Sequence, residues 1–114
     1  MSERLYSGEQ PGRVTVREGD GYRRSLDPRL DLCNHSSGFG WGTSGEVGPE
    51  QLSVALLADA LHDDARALKL HERFRKRVIT LLPSRWTITR SRIRAHADRI
   101  EMRTWIDAQD SKLS

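Results

Sequence analysis

All nine glycines of the 114-residue chain fall at or before Gly48. Glycine supplies the positive φ angles that tight turns require, and inside a helix it costs about 1 kcal/mol relative to alanine. A chain punctuated in this way places its turns in the front and leaves the back free for uninterrupted helices. The length suits one domain, since typical domains run to about 100–150 residues. The shift at residue 48 is therefore read as a change of structure inside a single fold, 1–114. A strand-rich, Gly-rich front spans 1–48, a helical back 49–108, and a polar tail 109–114 that is expected to fray.

In the front, Arg4 to Tyr6 and Arg13 to Arg17 read as short strands, the second through the alternation Arg13, Val14, Thr15, Val16, Arg17. Gly19, Asp20 and Gly21 supply a turn, and an extended piece from Tyr22 to about Leu26 can pair with the second strand. Leu30 and Leu32 read as apolar anchors before the loop. In the back, Gly48 and Pro49 fit a helix start with proline at the first helical position, followed by the broad apolar surface of Leu52, Val54, Ala55, Leu56, Leu57, Ala58 and Ala60. Asp63 or Asp64 can cap a second helix with the stripe Ala67, Leu70, Phe74, Val78, Leu81, which Pro83 stops. Trp86 to Thr89 alternates like a strand, Thr89 or Ser91 can cap a last helix, and Ile93, Ala97 and Ile100 define that helix's buried side. The fold class predicted is α+β: a small antiparallel sheet of two to four strands packed against about three helices.

Mean hydropathy of −0.66 with 36% hydrophobic and 31% charged residues describes a polar chain that still carries a core. No stretch approaches the roughly 20 apolar residues of a membrane span, and Met1 to Tyr6 has no signal-like run, so a cytoplasmic protein without membrane association is expected. The single cysteine, Cys33, forms no internal disulfide and reads as a small apolar filler. Cys and His at zinc-ligand spacing are absent, and neither a metal nor a cofactor is expected. The formal charge of +3 is unevenly placed. From Arg66 to Arg103 the only anions are Glu72, Asp98 and Glu101, against a dense run of arginine and lysine. Within it Arg92, His96, Arg99 and Arg103 recur along one side of the last helix. Arg73, Lys76, Arg77, Arg92, Arg99 and Arg103 are the candidate contacts for an acidic protein or for nucleic acid. The alternative is a solvated helix face. Trp86 and Trp105 offer stacking surfaces but read more naturally as core or interface residues.

The run Asn34-His35-Ser36-Ser37-Gly38-Phe39-Gly40-Trp41-Gly42, then Ser44-Gly45 and Gly48-Pro49-Glu50-Gln51-Leu52, resembles a small uncharacterised bacterial and phage domain family. Tyr6 and Gly8 match that family's opening Tyr-x-Gly, Leu68 to Phe74 and Leu81-Leu82-Pro83 match its second helix, and Trp86 follows. The likeness covers about Arg4 to Trp105. It implies a bacterial, phage or plasmid setting and assigns no activity. The chain departs from the pattern at Thr43, in place of an aromatic, and at Glu46-Val47, an insertion between Gly45 and Gly48.

The loop itself admits two uses. Asn34, His35, Ser36, Gly45, Gly48 and Gln51 can form a surface in which backbone N–H groups at a helix start accept an anion. Equally, the glycines can serve tight turns while Phe39 and Trp41 plug the core, since the spacing matches neither a P-loop nor a dinucleotide fingerprint. His35 and Ser36, with Asp31 or Asp27 as orienting carboxylate, are the weak catalytic candidates; as chain neighbours they make no dyad by adjacency alone. His62, Asp63 and Asp64 read as helix-cap residues. The preferred function is a non-enzymatic binding or regulatory accessory protein of bacterial or mobile-element origin, with a host defence complex as one target. The alternatives are nucleic-acid binding by the basic helices and a small hydrolase or transferase built on His35 and Ser36. Oligomeric state stays open.

Overall fold

Alternation in the front half builds a sheet with one apolar face. The computed structural model describes residues 3–34, 36, 38–42, 45 and 47–113, with residues 110–113 as backbone only. Strands β1 (Arg4–Glu9), β2 (Arg13–Glu18), β3 (Arg24–Ser25) and β4 (Arg85–Thr89) form an antiparallel sheet in the order β3-β2-β1-β4. Tyr6 pairs with Val16 and Ile88, and Gly8 with Val14 and Trp86. Directly paired residues share a face, so these six lie together, and Tyr6, Val14, Val16 and Trp86 are buried in the core. Leu5, Ser7, Thr15, Arg17 and Thr87 alternate onto the opposite face. Gly8 is required by close approach: a Cβ there would lie 2.2 Å from the Trp86 ring. That ring meets Trp41 edge-on at 5.6 Å between centroids, tying the glycine-rich loop to the sheet.

Hydrogen bonding makes β4 an open edge. Gln10 N–H donates to the Ser84 carbonyl just beyond the β1–β4 ladder, at 3.2 Å. Antiparallel pairs alternate between bonded and non-bonded, so Gly8–Trp86 and Tyr6–Ile88 are the bonded pairs. The backbone N–H and C=O groups of Arg85 and Thr87 consequently point away from β1.

The glycine-free half forms α1 (Val47–Leu61), α2 (Asp64–Arg77), a 3-10 turn (Ile79–Leu81) and α3 (Arg90–Leu113). α1 is buried on nearly every side, as its broad apolar surface requires, and Leu52, Ala55, Leu56 and Leu57 join Tyr6, Phe74 and Ile93 in one core. The helix starts at Val47, ahead of the expected start at Pro49; the proline sits in the first turn, where its missing N–H has no intrahelical partner to lose. Asp63 caps α2 by accepting from the Arg66 N–H at 3.1 Å, and Thr89 Oγ1 accepts from the Arg92 N–H at 3.2 Å at the start of α3.

Two sequence expectations need correction. Leu81 does not continue the α2 stripe: α2 ends at Arg77, and the tighter 3-10 turn rotates Leu81 outward to 78% exposure. Leu30 is exposed, and of the two leucine anchors only Leu32 packs against the core. α3 runs on through Leu113, with no glycine or proline after Pro83. Trp86 belongs to the core, whereas Trp105 is 61% exposed. Among the described residues no helix is long and apolar enough to cross a membrane.

Candidate functional site

Around the loop, polar groups are largely spent on one another. Gln51, fully buried near the start of α1, donates from Nε2 to the carbonyls of Pro28 at 2.6 Å and Cys33 at 2.7 Å, and its Oε1 accepts from the Ser36 N–H at 3.3 Å. One side chain thus ties together three loop backbone groups. Ser36 Oγ in turn accepts from the Gly38 N–H at 3.3 Å. Gly48 packs against Gly40 so closely that a Cβ would stand 2.8 Å from the Gly40 nitrogen. Gly45 and Asn34 are exposed, Gly45 with φ +91°. Asp31 receives the Arg29 guanidinium on both oxygens at 3.0 Å, and the same guanidinium reaches Asp64 at 2.8 Å. Of the catalytic constellation, His35 lies outside the described residues, as do Ser37, Thr43, Ser44 and Glu46 of the loop.

A second polar cluster escaped sequence reading. Asp59, the single acid within the apolar run of α1, accepts from Tyr6 Oη at 2.7 Å, Arg4 Nη1 at 2.7 Å and Arg24 Nη2 at 3.0 Å. Arg4 also pairs with Glu18. Burial by itself would raise the Asp59 carboxyl, but the hydrogen bonds from Tyr6, Arg24 and Arg4 outweigh it and hold the group below its ordinary value. Its sequence signal was the isolation of one carboxylate among buried leucines and alanines, a position tolerated only with charged or hydrogen-bonding partners. Nearby, the C-terminal carbonyl of Ala60 accepts from Arg90 Nε at 2.9 Å and Arg94 Nε at 3.2 Å, placing two cations at the negative end of α1.

The predicted cations divide between two situations. Arg73 donates across to Thr104 Oγ1 of α3, and Arg103 pairs with Asp107 at 3.6 Å on its own helix; neither reaches the groove described next. Arg77 and Arg92 converge on a groove of about 520 Å³ between the end of α2 and the 3-10 turn on one side and β4 and the start of α3 on the other. Val78, Leu81, Leu82, Ile88 and Leu5 form its apolar lining, with Thr87, Thr89 and His96 completing it. An adjoining hollow of about 340 Å³ shares Arg77, Leu81 and His96 and adds Lys76 and Arg99. Lys76 has a partner in Glu72 at 3.4 Å, but among the described residues no carboxylate lines either hollow. The resulting positive potential is felt by His96: burial, then Arg99 and Arg92, push its pKa below 6.5.

The opposite sheet face carries a third hollow, of about 410 Å³, with Arg13, Arg23 and Arg85 among hydroxyls of Ser7, Thr15 and Thr87. Arg85 is held by Glu9 at 2.8 Å. The outward-pointing members of the Arg13-to-Arg17 alternation were the available sequence signal for this face. Among the described residues no three His, Cys, Asp or Glu side chains gather as a metal site would require. What the groove presents is a set of cations beside apolar side chains.

No curated protein and no solved structure shows a significant match to the chain. A family model does, across residues 6–99, a span running from Tyr6 of the Asp59 cluster through the loop and α1 to Arg99 beside the groove. The chain therefore belongs to the family of unknown function DUF6166.

Proposed function

We propose that this protein is a non-enzymatic binding module whose groove between α2, β4 and α3 takes an anionic macromolecule. The observation that carries the reading is the convergence of Arg77 and Arg92, with Lys76 and Arg99 alongside, on hollows lined by no carboxylate. Arginines beside apolar side chains with no carboxylate facing them concentrate field and attract negative charge. The bacterial or mobile-element setting implied by the sequence resemblance suits a regulatory accessory role for such a module.

Heparin serves as a generic polyanion probe. Retention at low salt is expected to weaken steeply as salt rises, and the double reversal Arg77→Glu with Arg92→Glu should lower the slope of log affinity against log salt by about 2. Lys69→Glu, which reverses an exposed cation of α2 outside the groove lining, is the matched control and should cost far less. Equal losses from control and groove variants would sink the assignment, as would no retention of the parent protein at low salt.

A further inference from the structure

Resting on that reading of the groove, we infer that the anionic partner is an extended acidic peptide segment of another protein, which adds as a new strand to the free edge of β4. Two independent features meet here. The first is the edge itself: β4 ends the sheet order, and the backbone groups of Arg85 and Thr87 face away from β1. Natural sheets block such an edge with a charged side chain, a proline, a bulge or a covering element, and of these β4 carries one exposed charge, Arg85, paired with Glu9. β4 has no proline within Arg85–Thr89, and its register with β1 runs without a bulge. The second feature is the groove alongside. Thr87, Ile88 and Thr89 of β4 line it, with Leu81 and Leu82 as apolar floor and Arg77 and Arg92 as cations.

Strand addition draws affinity from main-chain hydrogen bonds and specificity from pockets that receive alternate side chains. A segment alternating acidic and small apolar residues matches both parts of this groove: carboxylates for Arg77 and Arg92, and apolar side chains for the floor. A nucleic-acid strand would leave that floor unused, and none of the groove-lining residues is a Phe, Tyr or Trp on which a base can stack. A second copy of this chain, pairing β4 to β4, would bring like-charged arginine clusters together.

The test uses a labelled, soluble Glu-Val repeat peptide read by fluorescence anisotropy. Its counterpart is N-methylated at every residue, which keeps the charged and apolar side chains but deletes the strand donors on both edges. Thr87→Pro removes an outward N–H from β4 without touching the bonds to β1, and proline is tolerated on an edge strand. Methylation of the peptide and Thr87→Pro are each expected to weaken binding about tenfold, the scale of one or two hydrogen bonds, while heparin retention of Thr87→Pro stays at the parent level. If Thr87→Pro fails to fold, the methylated peptide applied to the parent protein decides alone. Equal binding of both peptides overturns strand addition. So does an oligonucleotide that binds where the peptide does not, or a concentration-dependent dimer that Thr87→Pro abolishes. Loss of heparin retention in the arginine double variant, combined with equal binding of both peptides, would keep the anionic groove and reject only the strand.

Discussion

Two of the arginine clusters in this molecule meet different fates. At the end of α1, Arg4 and Arg24 close on Asp59, with Tyr6 completing the set, and each charge is answered at 2.7–3.0 Å. Between α2 and α3, Arg77 and Arg92 share a groove with no carboxylate in its lining. Residue type and local charge density are alike; what separates them is the counter-charge. The first cluster spends its electrostatics on joining sheet to helix. The second leaves it facing the groove, with no carboxylate among the described lining residues.

The sharpest way to break this comparison is to remove the answering charge. Asp59→Ala strands Arg4 and Tyr6 in a partly buried setting and should cost about 3 kcal/mol in urea unfolding, with heparin retention of the folded fraction intact. A loss under about 1 kcal/mol would mean that the cluster is solvated and does not anchor α1. Gln51→Leu comes next. It keeps the volume while removing the bonds to the Pro28 and Cys33 carbonyls and the Ser36 N–H, for an expected loss of about 2 kcal/mol. Amide exchange should speed up over residues 33–42 before the rest of the chain; uniform acceleration would contradict a local clamp.

The smallest effect belongs to the groove, and it is one of pH. His96 faces Arg92 and Arg99 of its own helix and shares its two hollows with Arg77 and Lys76 of α2. Burial and these arginines hold its folded-state pKa below 6.5, so the unfolded chain takes up the proton more readily. The His96 contribution is therefore present above that pH and is lost as pH falls below it. Thermal midpoints recorded from about pH 7 to pH 5 should decline less in His96→Gln than in the parent protein; superimposable slopes would show that His96 does not feel the groove's charge.

Patterns confined to one element were readable from sequence. The alternation at Val14 and Val16, the Trp86–Thr89 strand and the Ala67, Leu70, Phe74 stripe all appear where periodicity placed them. Features set by one element's placement against another were not. Asp59 finds Arg4 and Tyr6 across more than fifty residues of sequence, and which cations share the groove depends on how α2 and α3 lie against each other. Arg73 and Arg77 belong to the same helix, yet one is tied to Thr104 and the other lines the groove. Leu81 shows a further limit: a helical period carried one turn too far predicts a core residue where the backbone has already tightened. The importance of the loop was legible through Gln51 and the glycines, although its clearest role in the structure is to be held.

The three tryptophans give the molecule distinct optical addresses. Trp41 and Trp86 lie perpendicular in the core, one from the loop and one from the sheet, while Trp105 stands on the exposed side of α3. A charged quencher diffusing in water meets Trp105 first and leaves the inner pair bright. The emission that survives quenching therefore comes from the contact between loop and sheet, so unseating the loop can be seen as light without any attached label.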